Sequence, residues 1–212
     1  MINVWLGYDV QFTENIPKLI ESICNNTKSV KINFLIKDKI KELTRPQDEN
    51  QSTDSAFTRW MVPYLAEYRG WHLYIDSDTI VCDDLTKLWD LRDESKSVMV
   101  VKHKIRHNEG IKFNRHKQLD YTRKNWSSVM LINAKKCKML SPLYVNSASG
   151  LDLHQFKWLE DNSIGELPSC WNHLVGIDEK IKHPGIVHWT LGGPWNQEFK
   201  EVDYADLWNQ HN

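Results

Sequence analysis

Short apolar runs alternate with segments of helical spacing through the first half of the chain. Residues 2–6 form a buried-strand run that ends at Gly7-Tyr8-Asp9. Residues 14–24 then place Ile16, Leu19, Ile20 and Ile23 on one helical face. Val30, Ile32, Phe34 and Ile36 alternate with Lys31, Asn33 and Leu35, which predicts a second strand with one wetter face. A polar stretch over 37–53 is expected to hold a short helix and a loop. A helix is predicted over 55–65, with Ser52, Thr53 or Asp54 as its N-cap, and a strand over 71–75. Residues 98–101 and 129–132 are further strand candidates, and 151–161 a further helix. Gly192-Gly193-Pro194 ends regular structure near the C-terminus. This order predicts an α/β chain, a sheet with helices on its faces. In such sheets ligands gather beyond the carboxyl ends of strands, where Gly7-Tyr8-Asp9 and Asp76-Ser77-Asp78 both fall.

The second of these ends is the more telling. Residues 72–75 are apolar and β-prone, yet Asp76 and Asp78 follow at once, with Asp83 and Asp84 close behind. Residues i and i+2 of a strand share a side, so the two carboxylates point together unless a turn begins between them. Their mutual repulsion calls for a nearby positive charge. An acidic pair in this position has the character of a hard-cation site, in which Mg²⁺ or Mn²⁺ takes oxygen ligands and completes its shell with phosphates and water.

Composition narrows the alternatives. A length of 212 residues suits one large domain, and a formal net charge of -1 makes the molecule no general magnet for nucleic acid or membrane. Four cysteines, at 24, 82, 137 and 170, have neither disulfide-framework nor zinc-site spacing; free, mostly buried thiols are expected. No secretory or membrane-spanning segment is read, so a cytoplasmic location is the expectation. One segment departs in charge. Residues 102–124 hold eight Lys or Arg against two acids, an excess of six positive charges, with His103, His107 and His116 interleaved. It reads either as a solvated loop or as a lid or acceptor surface that meets an anionic group.

The stretch TRWMVPYLAEYRGWHLYIDSDTIVCDDLTKLWDL, residues 58–91, resembles the core of the family 8 glycosyltransferases, relatives of glycogenin and bacterial galactosyltransferases with the GT-A fold. SSVMLINAKKC (127–137) is similar to that family's NSGVMLIN strand, with Trp126 in place of Asn and Ser128 in place of Gly. LPSCWNHL (167–174) resembles its LP..WN segment, and VHWTLGGPWN (187–196) its closing motif, one residue shorter and with Gly193 where a lysine is usual. The resemblance implies a single GT-A domain over 1–212, with a Rossmann-like mixed sheet flanked by helices. A nucleotide-sugar part would cover about 1–101, and the acceptor side with the closing metal motif about 102–200.

The resemblance further implies that Asp76, Asp78 and His188 bind Mn²⁺ or Mg²⁺. A neutral imidazole nitrogen at His188 suits Mn²⁺ the better. The donor, a nucleotide-diphosphate sugar and by resemblance a UDP-sugar, would be held by Gly7, Tyr8, Asp9, Arg59, Asp76, Ser77, Asp78, Gly192, Gly193 and Trp195. Tyr8 is assigned to stacking on the base and Asp9 to the ribose or base. Arg59 would meet phosphate or sugar oxygens, and the two glycines would bring N–H groups close to the phosphates. The family's Asp-Gln pair resembles His154-Gln155, which leaves no carboxylate at 154 unless Asp152 substitutes. Retention by front-face attack is therefore the favoured chemistry, with Gln155, Asp152 and His154 as the catalytic candidates. The acceptor, whether glycan, lipid or protein, is not specified; no nucleic-acid partner is expected. A nucleotidyltransferase and a catalytically idle nucleotide-sugar-binding module are the rival readings.

Overall fold

A computed structural model describes residues 1–46, 53–104 and 122–211. The chain opens with β1 (Ile2–Gly7), α1 (Asn15–Asn26) and β2 (Val30–Leu35). α2 (Ser55–Thr58) and α3 (Val62–Leu65) flank a 3-10 turn at Arg59–Met61 and lead into β3 (Trp71–Ile75) and β4 (Thr79–Val81). Next come α4 (Leu85–Trp89), β5 (Val98–Val100), β6 (Val129–Asn133), α5 (Pro142–Ser147) and α6 (Gly150–His154). The last elements are β7 (Ile164–Glu166), β8 (His173–Leu174), β9 (Ile186–His188) and α7 (Ala205–Asn209).

Six strands form one mixed sheet in the order β2-β1-β3-β6-β5-β7. β1 runs parallel to β2 and β3, whereas β3 pairs antiparallel with β6. The sense of pairing thus reverses at β3, which is buried at every position. Alternation sorts its side chains. Tyr74 joins one apolar cluster with Trp60, Met61, Met130 and Phe156. Leu73 and Ile75 join a second cluster with Leu6, Leu19, Ile23 and Leu131. Burying both faces explains why β3 and β6 are mostly apolar, with His72 and Asn133 as their buried polar members. A smaller sheet, β4-β9-β8, packs over Val175, Trp189 and Tyr204.

Three expectations need revision. The helix foreseen over 55–65 is two short helices around a 3-10 turn, because Pro63 has no N–H to continue the ladder and its ring crowds the preceding turn. The helix foreseen over 151–161 stops at His154. Phe156 takes a φ of 54°, which places its ring at 0% exposure between Trp60 and Trp158. Tertiary packing of the aromatic ring outweighs helix propensity there. Of the thiols, only Cys137 is buried, and Cys24 is exposed. Asp54 does occupy the N-cap position before α2, but its side chain makes no cap bond and meets Lys37 at 3.1 Å instead. No helix among the described residues is long and apolar enough to cross a membrane.

Histidines held away from water tie the fold to pH, His72 and His103 among them. His72 Nδ1 accepts from the Trp5 indole at 3.0 Å while Nε2 meets the Arg69 carbonyl at 2.8 Å, a pattern that requires the neutral ring. Burial holds its pKa below the ordinary value, and burial lowers His103 to about 4. Both bind fewer protons folded than unfolded, so their contribution is full above the ordinary histidine pKa and is lost as pH falls from there to the lowered folded value, about 4 for His103. Urea midpoints should therefore drop from about pH 7 down to about pH 4, and a His103→Gln variant should show a flatter profile. An unchanged profile in the variant would remove His103 from the account.

Candidate active site

β3 delivers Asp76 one residue beyond its end, and the neighbouring β6 shapes what it meets. The Asp76 N–H donates to the Ser128 carbonyl at 2.9 Å, extending the β3–β6 pairing by one step. The strand then turns. Thr79 Oγ1 donates to the Asp76 carbonyl at 2.7 Å, and β4 starts at Thr79. A turn therefore does begin between the two aspartates, and they acquire different partners.

Asp76 faces a fixed cation within the protein. Arg59 Nη2 lies 2.8 Å from its Oδ1 and Nη1 lies 3.2 Å from Oδ2, a two-point pair that is largely buried. Tyr74, on the same strand side at i−2, donates its hydroxyl to Asp76 Oδ1 at 2.5 Å. Burial pushes the Tyr74 pKa well above its ordinary value, so the phenol keeps the proton it donates. The 3-10 turn aims Arg59 inward: its Nε donates to the Ser55 carbonyl at 2.9 Å and Nη1 to the Ser127 carbonyl at 2.8 Å. Gly7 permits this docking, since a Cβ there would sit 2.7 Å from Ser55 Cβ and 2.8 Å from the Tyr74 hydroxyl. Its requirement is close packing of α2 on the sheet. The guanidinium foreseen on the donor thus forms its strongest contact with Asp76.

Asp78 faces His188. Pairing of β4 with β9 sets Thr79 opposite His188, and the Trp189 N–H donates to the Asp78 carbonyl at 3.0 Å. His188 Nε2 then lies 3.3 Å from Asp78 Oδ1. Its ring is oriented from behind by Asn172. Asn172 donates Nδ2–H to the Asn125 carbonyl at 3.0 Å, which turns its Oδ1 toward His188 Nδ1 at 2.9 Å. Nδ1 therefore carries the proton, and a neutral His188 presents an Nε2 lone pair to an Asp78 oxygen. Two acceptors at that separation need a proton or a cation between them. Ligand atoms of Asp76, Asp78 and His188 all lie within 4.8 Å of one another. One imidazole nitrogen with carboxylate oxygens suits Mn²⁺ or Mg²⁺, and the Asn172 amide oxygen behind the imidazole supplies the outer acceptor that a histidine ligand needs. The residues fit such an ion.

The surrounding cleft is lined by Phe12, Ser77, Ser127 and His154 together with these groups. His154 Nδ1 meets Ser127 Oγ at 2.9 Å, and the same oxygen lies 3.3 Å from Arg59 Nη1. Asp152 does not share the cleft. It pairs with exposed Lys157 at 2.7 Å, which lowers its pKa, so it does not supply the carboxylate absent at 154. Gln155 caps α6, and its carbonyl accepts from Arg123 at 2.8 Å. Tyr8 follows β1 and is partly exposed. Each Asp9 carboxylate oxygen accepts a backbone N–H, from Gln11 at 3.1 Å and from Asp54 at 2.8 Å. The Gly192 N–H is engaged by the Trp189 carbonyl at 3.0 Å. A Cβ on Gly192 would strike Phe199, and one on Gly193 would strike Trp195. Trp195 packs edge-on against Phe12 and Trp189 at 5.8 and 5.9 Å. Most of the basic stretch, including Lys112, Arg115 and Lys117, lies outside the described residues.

Tyr74, Ser127 and Asn172 are site residues that sequence reasoning passed over. Only Tyr74 left a signal, a hydroxyl two positions before an acid in an otherwise apolar strand.

The central mixed sheet flanked by helices is the fold of the GT-A glycosyltransferases. The galactosyltransferase LgtC, solved with donor and acceptor sugar analogs, superposes with a TM-score of 0.68 at 14% identity, over 99% of this chain and 94% of its own. WbbM, a bifunctional glycosyltransferase, gives 0.68 at 18% identity over 99% of this chain and 49% of its own. GlyE of Streptococcus pneumoniae TIGR4 gives 0.65 at 19% identity over 99% and 60%. At these identities the likeness is one of fold. In sequence, Protein CDI of Arabidopsis thaliana is 39% identical over 171 residues, covering 77% of this chain and 66% of that protein. The profile of Glycosyl transferase family 8 matches residues 7–141. The chain belongs to glycosyl transferase family 8. It spans about half the length of WbbM and just under two thirds of Protein CDI.

Loss of Arg59 should expose the cost of burying Asp76. Arg59→Met is expected to lower the unfolding free energy in urea by about 3–5 kcal/mol, because it strands a buried carboxylate. Adding Asp76→Asn should restore part of that loss. Parent-like stability in the single variant would refute the pairing as a structural support.

Proposed function

We propose that this chain is a metal-dependent glycosyltransferase that moves a sugar from a nucleotide-diphosphate sugar, a UDP-sugar by family, to an acceptor hydroxyl. The observation that carries this reading is the Asp76–Asp78–His188 cluster, with the His188 lone pair turned onto Asp78 by Asn172. When bound, the divalent ion would neutralise charge on the diphosphate as it leaves. The protein's part is to hold that site rigid and dry on one side: Arg59 and Tyr74 fix Asp76, and Asn172 fixes the His188 ring.

Retention of configuration is proposed through front-face attack. The acceptor oxygen bonds to the anomeric carbon as the bond to phosphate breaks, and its proton passes to a departing phosphate oxygen. The cleft supports this path, because its described lining holds no carboxylate beyond Asp76 and Asp78 to serve as a covalent nucleophile. His154 occupies the flank instead, anchored by Ser127. The galactosyltransferase LgtC was solved with donor and acceptor sugar analogs, which is consistent with a sugar donor here.

Calorimetry with UDP decides the metal requirement. Binding should be tight with Mn²⁺ and weak in EDTA, and Asp78→Asn or His188→Ala should remove most of the difference. Asn172→Leu, which withdraws the support of His188, should cost about 10–100-fold in Mn²⁺ affinity. Equal UDP affinity with and without metal would overturn the reading. Turnover then separates the classes: a transferase releases nucleoside diphosphate, a nucleotidyltransferase pyrophosphate, and an idle binding module neither.

A further inference from the structure

Asn15 opens α1 at 0% exposure, and its amide is used on both sides. Nδ2 donates to the carbonyls of Ser77 and, at 3.2 Å, of Thr79, the residues on either side of Asp78. Oδ1 accepts from the indole Nε1–H of Trp208 on α7, 193 positions away in sequence. The neighbouring turn of α1 grips the same region, with Lys18 Nζ 4.3 Å over the Trp208 ring and donating to the His211 carbonyl. An asparagine is the side chain that answers this pattern. It needs two hydrogens on one atom for two converging carbonyls, and a lone pair on the other for an indole N–H. Aspartate would set an anion against two carbonyl oxygens. An apolar residue would leave all three buried groups without partners.

We propose that Asn15 is a positioning residue for the acidic turn, and that α7 governs it through Trp208. Docking of the C-terminal helix orients the Asn15 amide; the amide pins the carbonyls flanking Asp78, and these set the direction of its carboxylate toward Asp76 and His188. A turn released from that clamp keeps its place in the chain and loses the alignment of its ligands. The proposal rests on the reading of Asp76, Asp78 and His188 as metal ligands.

The test compares the parent with Asn15→Asp, Trp208→Phe and Asp78→Asn. Two quantities are measured: Mn²⁺ affinity by electron paramagnetic resonance without nucleotide, and hydrogen–deuterium exchange over residues 76–82 in metal-free protein. Asn15→Asp and Trp208→Phe should each weaken Mn²⁺ about tenfold, with faster exchange over 76–82 and unchanged protection in β1 and β6. Asp78→Asn should lose Mn²⁺ yet retain the parent's exchange. Trp208→Phe keeps the aromatic packing, so it decides the matter if Asn15→Asp does not fold. Parent-like Mn²⁺ affinity in the clamp variants, with Asp78→Asn impaired, would overturn the positioning role and leave the metal reading standing. Parent-like affinity in Asp78→Asn would remove the metal reading and this proposal with it.

Discussion

The buried pairing of Arg59 with Asp76 is the interaction on which the site is built. A carboxylate placed at the end of an apolar strand loses hydration, and an ion pair offsets that loss only when its geometry is good and its remaining lone pairs are satisfied. Both conditions hold. The guanidinium engages two oxygens, and the Tyr74 hydroxyl takes a further lone pair. The same contact docks the α2–α3 segment onto the sheet, and Gly7 lets it come close enough. Asp76 is thereby a member of the scaffold as well as of the cleft.

Asp78 is held differently. Its backbone is bonded to Trp189, and its side chain faces an imidazole whose tautomer is set by an amide. The smaller sheet makes this possible, since one β4–β9 pair brings His188 across from Thr79. Two aspartates one residue apart thus serve unlike ends. The first is compensated by protein, and the second faces the imidazole Nε2 across a gap that takes a proton or a cation.

Strands β1, β2, β3, β5 and β6 were legible because apolar alternation and short buried runs mark them, and the acidic turn was legible because it interrupts such a run. β4, β7, β8 and β9, two or three residues each, are too short to leave a period and were not foreseen. Pro63 stands in the sequence within 55–65, and its missing N–H is the local cause of the split there. The end of α6 was not legible. Phe156 leaves the helix because a buried aromatic cluster accepts its ring, and local spacing carries no record of that cluster. Asp152 misled for a related reason: its distance in sequence from Gln155 says nothing of the side on which Lys157 waits.

By itself, the sequence determined the α/β class, the placing of Asp76 and Asp78 at a strand's carboxyl end, and the family to which the chain belongs. These depend on periodicity and on contiguous motifs, which are local. Tertiary structure alone decided that Arg59 would neutralise Asp76, that Asn172 would orient His188, and that Asp9 and Gly192 would spend their polar groups on backbone. The bonds of Gly192 to Trp189 and of Gln11 to Asp9 are short turns, whereas the Arg59–Asp76, Asn172–His188 and Asp54–Asp9 contacts are hydrogen bonds across many residues of chain. Such bonds are chosen by which buried groups the packed core leaves facing one another, and no one-dimensional spacing encodes that.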